Sequence, residues 1–141
     1  MGEVRVLVVE DSEVVRRAVC SLLEGFPEVR IVCVATDGLE AVERAACEKP
    51  DVVVLDIRLP RLNGIEAACR IRTVTPNSKV LFLSQYDSWA GAQEALHTGA
   101  SGFVVKADAA TDLIAGIHAV CQGKRFLSSS LSAHEGEITR G

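Results

Sequence analysis

Residues 52–56 read Val-Val-Val-Leu-Asp, so that four apolar residues end in a carboxylate. The run lies between Pro50 and Pro60, which makes it too short for a typical helix, and it is too continuous for a half-exposed strand. It predicts a parallel strand that is buried on both faces. Asp56 would then stand at the carboxyl end of that strand, where open parallel sheets bind their ligands.

Four further apolar runs alternate with helical stretches along the chain, and one of them, residues 4–9, also ends in acids. Five such strand and helix units with right-handed crossovers predict an α/β fold. Its sheet would be doubly wound, parallel and five-stranded, in the order 2-1-3-4-5. The predicted strands are residues 4–9, 29–35, 52–55, 79–83 and 103–106.

This strand order brings polar residues together at one edge of the sheet. Strands one and three lie side by side at the point where the winding direction changes. The acids after them, Glu10, Asp11 and Asp56, would form one pocket. Ser84 from strand four and Lys106 from strand five would lie on its rim.

These residue types suit phosphoryl transfer. A carboxylate can attack phosphorus and form an acyl phosphate once the surrounding negative charge is neutralised. Mg²⁺ prefers oxygen ligands, which Asp11, Asp56 and the Arg58 carbonyl could supply. Lys106 would offer a positive charge to a phosphoryl oxygen, and the Ser84 hydroxyl a hydrogen-bond donor.

Each residue taken alone also has an ordinary structural explanation. Glu10 and Asp11 could cap the first helix and complement its dipole. Ser84 could be a turn residue at a strand end, and Lys106 a solvated charge. Asp56 is harder to explain in this way, and the set is more specific than its members because each lies at a carboxyl end of a predicted strand.

Composition indicates a single domain. A chain of 141 residues that is 48% hydrophobic can bury one core, and a formal charge of −4 offers no positive surface to a nucleic acid. No apolar run could span a membrane and no signal peptide opens the chain, so we expect a cytoplasmic protein without a membrane contact. Residues 124–141, with serines at 128–130 and no periodicity, are predicted to be a linker or disordered tail.

Over residues 3–123 the sequence resembles the receiver domain of two-component response regulators, and more narrowly the NarL/FixJ/LuxR-type transcription regulators. The resemblance implies a flavodoxin-like, three-layer fold. The segments that carry it are Glu10-Asp11, Val-Val-Leu-Asp56, Leu59-Pro60-x-x-Asn63-Gly64, Leu83-Ser84 and, with the family's lysine, Gly-Ala-Ser-Gly-Phe103-Val-Val-Lys106.

The resemblance implies a role for each of these residues. Asp56 would be phosphorylated by a sensor histidine kinase, and Asp11 and Asp56 would hold Mg²⁺. Glu10 would support the ion through a water molecule. Ser84 and Phe103 would form the switch pair that alters the face made by helix four, strand five and helix five. The protein would catalyse only its own phosphorylation and dephosphorylation.

The resemblance also implies partners. Phosphorylation would favour a homodimer, and DNA would be bound only through a helix-turn-helix output domain that this chain lacks. In the family that domain comes after a linker similar to residues 123–128, Gly-Lys-Arg-Phe-Leu-Ser. The chain is therefore expected to be either a receiver taken from a longer protein or one that acts alone.

Two departures from the family pattern affect these expectations. Lys106 is followed by Ala107-Asp108 where many receivers have proline. Phe103 lacks the hydroxyl of the tyrosine often found at its place, so its switching can depend only on packing.

Other classes of protein can be weighed from the same residues. A haloacid-dehalogenase-type phosphatase needs a second aspartate two residues after its nucleophile, where this chain has Arg58. A flavodoxin-like phosphate-binding module needs an uncharged loop after strand one, where Glu10 and Asp11 would repel phosphate. A pseudo-receiver that acts as a protein-interaction module without phosphorylation remains the alternative.

Two long side chains are predicted to modulate the reaction. Arg58 lies two residues after the phosphoacceptor and Tyr86 two residues after the switch serine. Both could lie over a phosphoryl group and hinder a water molecule that attacks in line. We therefore expect them to lengthen the phosphorylated lifetime.

Overall fold

Six strands form one parallel sheet in this computed structural model, which describes residues 3–85 and 89–131. In chain order they are β1 (Val4–Val9), β2 (Val29–Ala35), β3 (Val52–Leu55), β4 (Lys79–Ser84), β5 (Gly102–Val105) and β6 (Phe126–Leu127). Their order in the sheet is β2-β1-β3-β4-β5-β6. The predicted order of the first five strands is confirmed.

Among residues 3–85 and 89–128, five α-helices cover the sheet, and they divide between its two faces. They are α1 (Glu13–Glu24), α2 (Gly38–Glu48), α3 (Gly64–Val74), α4 (Trp89–Leu96) and α5 (Ala109–Cys121). Alternate residues of each strand point to opposite faces. One face carries Val53 and Phe82 against α2, α3 and α4, and the other carries Val54 and Leu81 against α1 and α5. The three-layer fold predicted from the sequence is therefore present.

Side-chain caps fix where three of the helices begin. Ser12, and not Asp11, caps α1 by accepting the Val15 N–H at 3.3 Å. Asp37 caps α2 and Asn63 caps α3 in the same manner. Each cap satisfies an N–H group that has no partner within its helix. The Asp11 carboxylate is thus not used as the cap of α1.

Residues 124–141 are predicted to be a linker or disordered tail, but Phe126–Leu127 form a strand. This strand pairs with β5, with Gly102 opposite Phe126 and Phe103 opposite Leu127. Leu131 is fully buried in the core on the side of α2, α3 and α4. A strand of two residues is too short to show a period of two, and the serine run that follows it is typical of a linker. The sheet therefore has six strands where five were predicted.

The end of β5 also differs from the prediction. Lys106, expected as the last residue of that strand, begins a short 3-10 turn, Lys106–Asp108, that leads into α5. Asp108 precedes α5, but its side chain makes no capping bond there. Its carboxylate instead accepts hydrogen bonds from Ser128 and Ser130.

Within residues 3–85 and 89–131, every helix is too short or too polar to cross a lipid bilayer.

Candidate functional site

Three carboxylates meet at the carboxyl ends of β1 and β3. These strands are neighbours, and Val9 lies opposite Leu55 in their register. Glu10 and Asp11 come directly after β1, and Asp56 comes directly after β3. One carboxylate oxygen of each lies within 4.8 Å of the others. Glu10 and Asp56 are only 3% and 7% exposed, while Asp11 is open to solvent.

Lys106 reaches into this cluster from the end of β5. Its Nζ donates to Glu10 Oε1 at 2.6 Å and to Asp56 Oδ2 at 3.2 Å. Partial burial opposes the charged form, but the hydrogen bond to Glu10 and the charges of Asp56 and Glu10 outweigh it and raise the pKa of Lys106. At a pH below the ordinary lysine pKa, the charged Lys106 therefore contributes its full stabilisation of the fold. This contribution is lost only as the pH rises through the raised pKa of Lys106 in the folded state.

The backbone after Asp56 is held by close contact with α3. Gly64, the first residue of that helix, donates its N–H to the Ile57 carbonyl. A Cβ at position 64 would lie 2.0 Å from the Asp56 carbonyl oxygen, well inside van der Waals contact. Only glycine permits this approach. The Asn63-Gly64 pair seen in the sequence therefore fixes the main chain of Asp56 and also caps a helix.

Ser84 and Phe103 lie on the α4 side of the sheet. Ser84 is the last residue of β4, is buried, and pairs with Val105 in the sheet register. The Phe103 ring is 1% exposed, and its centre lies 6.3 Å from that of Phe82. The ring therefore already lies in the core between the sheet and α4. Movement of Phe103 from solvent into the core is therefore not available in this conformation.

Of the two residues expected to modulate the reaction, Arg58 lies within the described part of the chain. The Arg58 side chain is exposed and lines an open cleft together with Asp11, Asn63, Glu66 and Glu94. Tyr86 lies outside the described residues. The modulating roles of both residues stay predictions, as does the use of the Arg58 carbonyl as a ligand.

The donor set of this cluster suits Mg²⁺. All three side chains offer carboxylate oxygens, which are the ligands that this ion prefers, and the exposure of Asp11 leaves a path to solvent. Three carboxylates lie close together here, and the Lys106 ammonium contacts two of them. A divalent cation would compensate the remaining charge.

The contacts of the turn that carries Lys106 were not predicted from the sequence. Asp108 and Ser128 form a hydrogen bond of 2.6 Å next to the turn that carries the lysine. No spacing in the sequence connects these two residues, which are 20 positions apart. The serine run at 128–130 is the only signal, and a serine run is equally typical of a linker.

Comparison with known proteins agrees with this geometry. Residues 6–118 match the family described as "Response regulator receiver domain". The chain is 34% identical over 130 residues to the transcriptional regulatory protein LnrK of Bacillus subtilis, covering 92% of this chain and 59% of LnrK. It is 38% identical over 130 residues to the DNA-binding transcriptional activator DevR/DosR of Mycobacterium tuberculosis, covering 92% of this chain and 60% of that protein.

A solved structure extends the similarity to the whole fold. The crystal structure of a LuxR-family two-component response regulator from Aurantimonas sp. SI85-9A1 superposes with a TM-score of 0.94 at 31% identity. The match covers 99% of this chain and 100% of that one. By contrast, the chain spans only about three fifths of the length of LnrK and DevR/DosR.

The crowding of carboxylates leads to a stability prediction for Asp56→Asn. In buffer with EDTA this change should raise the free energy of unfolding by about 1 kcal/mol, because it removes a like charge close to Glu10 and Asp11. Added Mg²⁺ should then stabilise the variant less than the parent. Urea denaturation with and without Mg²⁺ measures both effects.

The matched control is Glu43→Gln, which removes the same charge from an exposed position on α2. We expect it to change stability by less than about 0.5 kcal/mol. An Asp56→Asn protein that was less stable than the parent in EDTA would show that the ion pair with Lys106 outweighs the crowding.

Proposed function

The chain belongs to the response regulator receiver domain family, and we propose on that basis that Asp56 is its phosphoacceptor. The observation that carries the proposal is the meeting of Glu10, Asp11 and Asp56 within 4.8 Å, with Lys106 bound to two of them. Receivers of this family act in two-component response regulators. The donor would be the phosphohistidine of a sensor histidine kinase.

The chemistry assigns one step to each group. An Asp56 carboxylate oxygen forms a bond to phosphorus while the bond from phosphorus to the histidine nitrogen breaks, and the leaving imidazole takes up a proton. The Lys106 ammonium, 3.2 Å from Asp56 Oδ2, is close enough to pair with a phosphoryl oxygen of the product. The Ser84 hydroxyl, from the neighbouring strand, would donate to another.

Receiver domains generally bind Mg²⁺ at an acidic pocket. In this chain we assign the ion to the Asp11 and Asp56 carboxylates and the Arg58 carbonyl, with Glu10 acting through water. When bound, the ion neutralises negative charge on the phosphoryl oxygens as they approach the carboxylates. The exposed position of Asp11 and the oxygen-only donor set support this assignment.

The consequence of phosphorylation would be control of transcription by the full-length protein. LnrK and DevR/DosR are described as transcriptional regulators. We propose that a helix-turn-helix output domain outside this chain binds DNA, that phosphorylation favours a homodimer, and that the protein acts in the cytoplasm. The formal charge of −4 on this chain fits an indirect role in DNA binding.

The pseudo-receiver alternative has no observation in its favour. Such a module could lose its acceptor, its acidic pair or its lysine without consequence. This chain has all of them at one site, with the acids within 4.8 Å of one another and the lysine bound to two of them.

The acceptor is tested with Asp56→Asn and a phosphate label. The parent should take up one phosphate from acetyl phosphate in the presence of Mg²⁺, and the variant none, because an amide is not a nucleophile. The control is Asp51→Asn, at the exposed opposite end of β3. It should be labelled like the parent, and labelling of Asp56→Asn would exclude Asp56 as the acceptor.

The modulating role of Arg58 is tested by the rate at which phosphate is lost. We expect Arg58→Ala and Tyr86→Ala to lose it about two- to tenfold faster than the parent, because a shielding side chain is removed. Arg61→Ala is the control, since Arg61 lies on the same loop as Arg58 but pairs at 3.2 Å with Asp37, the N-cap residue of α2. One common rate for all four proteins would contradict shielding.

The coupling role of Ser84 is tested with Ser84→Ala. Ser84 lies beside β5 on the side of the sheet covered by α4, so a hydroxyl drawn to the phosphoryl group alters the packing there. The variant should accept phosphate at Asp56 but lose about half or more of the phosphorylation-dependent change in Trp89 emission and in self-association.

Ser101→Ala, at the opposite end of β5, should keep the parental response. A full response from Ser84→Ala would show that its hydroxyl is not the coupling link.

A further inference from the structure

The segment of residues 126–131 packs against the sheet beyond the family match, which ends at residue 118. β6 lies along β5, and the Ser128 N–H donates to the Phe103 carbonyl at 2.9 Å. Ser128 and Leu131 are both fully buried. We call residues 126–131 the docked segment.

The Ser128 hydroxyl bridges the two ends of the turn that carries Lys106. It accepts the Val105 N–H at 3.1 Å, immediately before the turn. It donates to Asp108 Oδ2 at 2.6 Å, at the end of the turn. Asp112 Oδ2 lies farther away, at 3.4 Å, and a hydroxyl has a single proton to give. One side chain thus holds the backbone on one side of Lys106 and a carboxylate on the other.

Asp108 is held as a strong acceptor for this bridge. Hydrogen bonds from Ser128 and Ser130 lower the pKa of its carboxyl group. It is therefore ionised at neutral pH, and its contribution to docking is lost only when the pH falls through this lowered value. Charge-assisted hydrogen bonds of this kind are shorter and stronger than neutral ones.

Lys106 must extend from this turn to Asp56 and Glu10, so the position of the turn decides where its ammonium lies. Lysine has a long, flexible side chain, and its backbone has to be fixed if Nζ is to meet two carboxylates at once. Within the described residues, the Ser128 bridge is the contact that holds both ends of the turn from outside it.

We propose that Ser128 is a positioning residue for Lys106, and that binding of the docked segment is coupled to phosphorylation of Asp56. This inference rests on the proposed function. Because coupling between two sites is reciprocal, a docked segment that favours phosphorylation is itself held more firmly once Asp56 is phosphorylated. The segment predicted from its composition to be a linker would then sense the state of the acidic site.

The test compares Ser128→Ala with Ser130→Ala, its matched control from the same serine run. Ser130 is exposed and donates to the same Asp108 oxygen at 2.8 Å, so it shares the carboxylate but not the contact with Val105. With acetyl phosphate and Mg²⁺ in excess, Ser128→Ala should be phosphorylated about tenfold more slowly than the parent, because small displacements of a reacting group are costly. Ser130→Ala should remain within about twofold.

A Lys106→Ala background separates positioning from general damage. If Ser128 acts through Lys106, Ser128→Ala should slow phosphorylation little further once the lysine is gone. Equal slowing with and without Lys106 would overturn the proposal, and so would a parental rate for Ser128→Ala. Should Ser128→Ala fold poorly, Asp108→Asn weakens the same bridge without a cavity and carries the same expectations.

The reciprocal effect is measured by amide hydrogen exchange of residues 126–131 with Mg²⁺ and beryllofluoride. Protection should increase in the parent and not in Ser128→Ala. If the parent took up no phosphate, the proposed function would be refuted. If the parent were phosphorylated and Ser128→Ala matched it in both phosphorylation rate and amide protection, only this inference would be refuted.

Discussion

Crowding of negative charge is the constraint on which this site depends. β1 and β3 end side by side, and the residues directly after both strands are acidic. Burial of Glu10 and Asp56 removes most of the water that would otherwise screen their repulsion. The fold tolerates this arrangement because Lys106 spans from β5 to both groups. The site is therefore organised to attract positive charge before any ligand arrives.

The backbone around Asp56 is held rigidly, which favours reaction of its carboxylate. The Asp56 N–H is bound by the Val9 carbonyl, and its own carbonyl is packed against Gly64. With its backbone held here and its carboxylate bound by Lys106, Asp56 has little freedom to lose when it reacts, which lowers the entropic part of the barrier.

The sequence was sufficient for the features that depend on periodicity and on the ends of strands. Buried runs such as residues 52–55 are unmistakable, and the crossover rule then fixes the strand order that brings Glu10 and Asp56 together. The features that it could not reveal depend on contacts between distant residues. The two-residue β6 has no period, and the bond between Ser128 and Asp108 leaves no local trace. The buried state of Phe103 likewise depends on how α4 packs, which the strand pattern does not specify.

The position of β6 also determines which backbone groups at the edge of the sheet are open to other molecules. An edge strand exposes unpaired N–H and carbonyl groups on which another chain can add a strand. β5, with the apolar sequence Gly-Phe-Val-Val, would be such an edge if β6 did not cover Gly102 and Phe103. A fragment that ended at Gly123 would thus leave a hydrophobic edge open to intermolecular pairing and aggregation. The short strand is in this sense a protective cover, and residue 131 is a safer boundary than residue 123 for producing the domain in isolation.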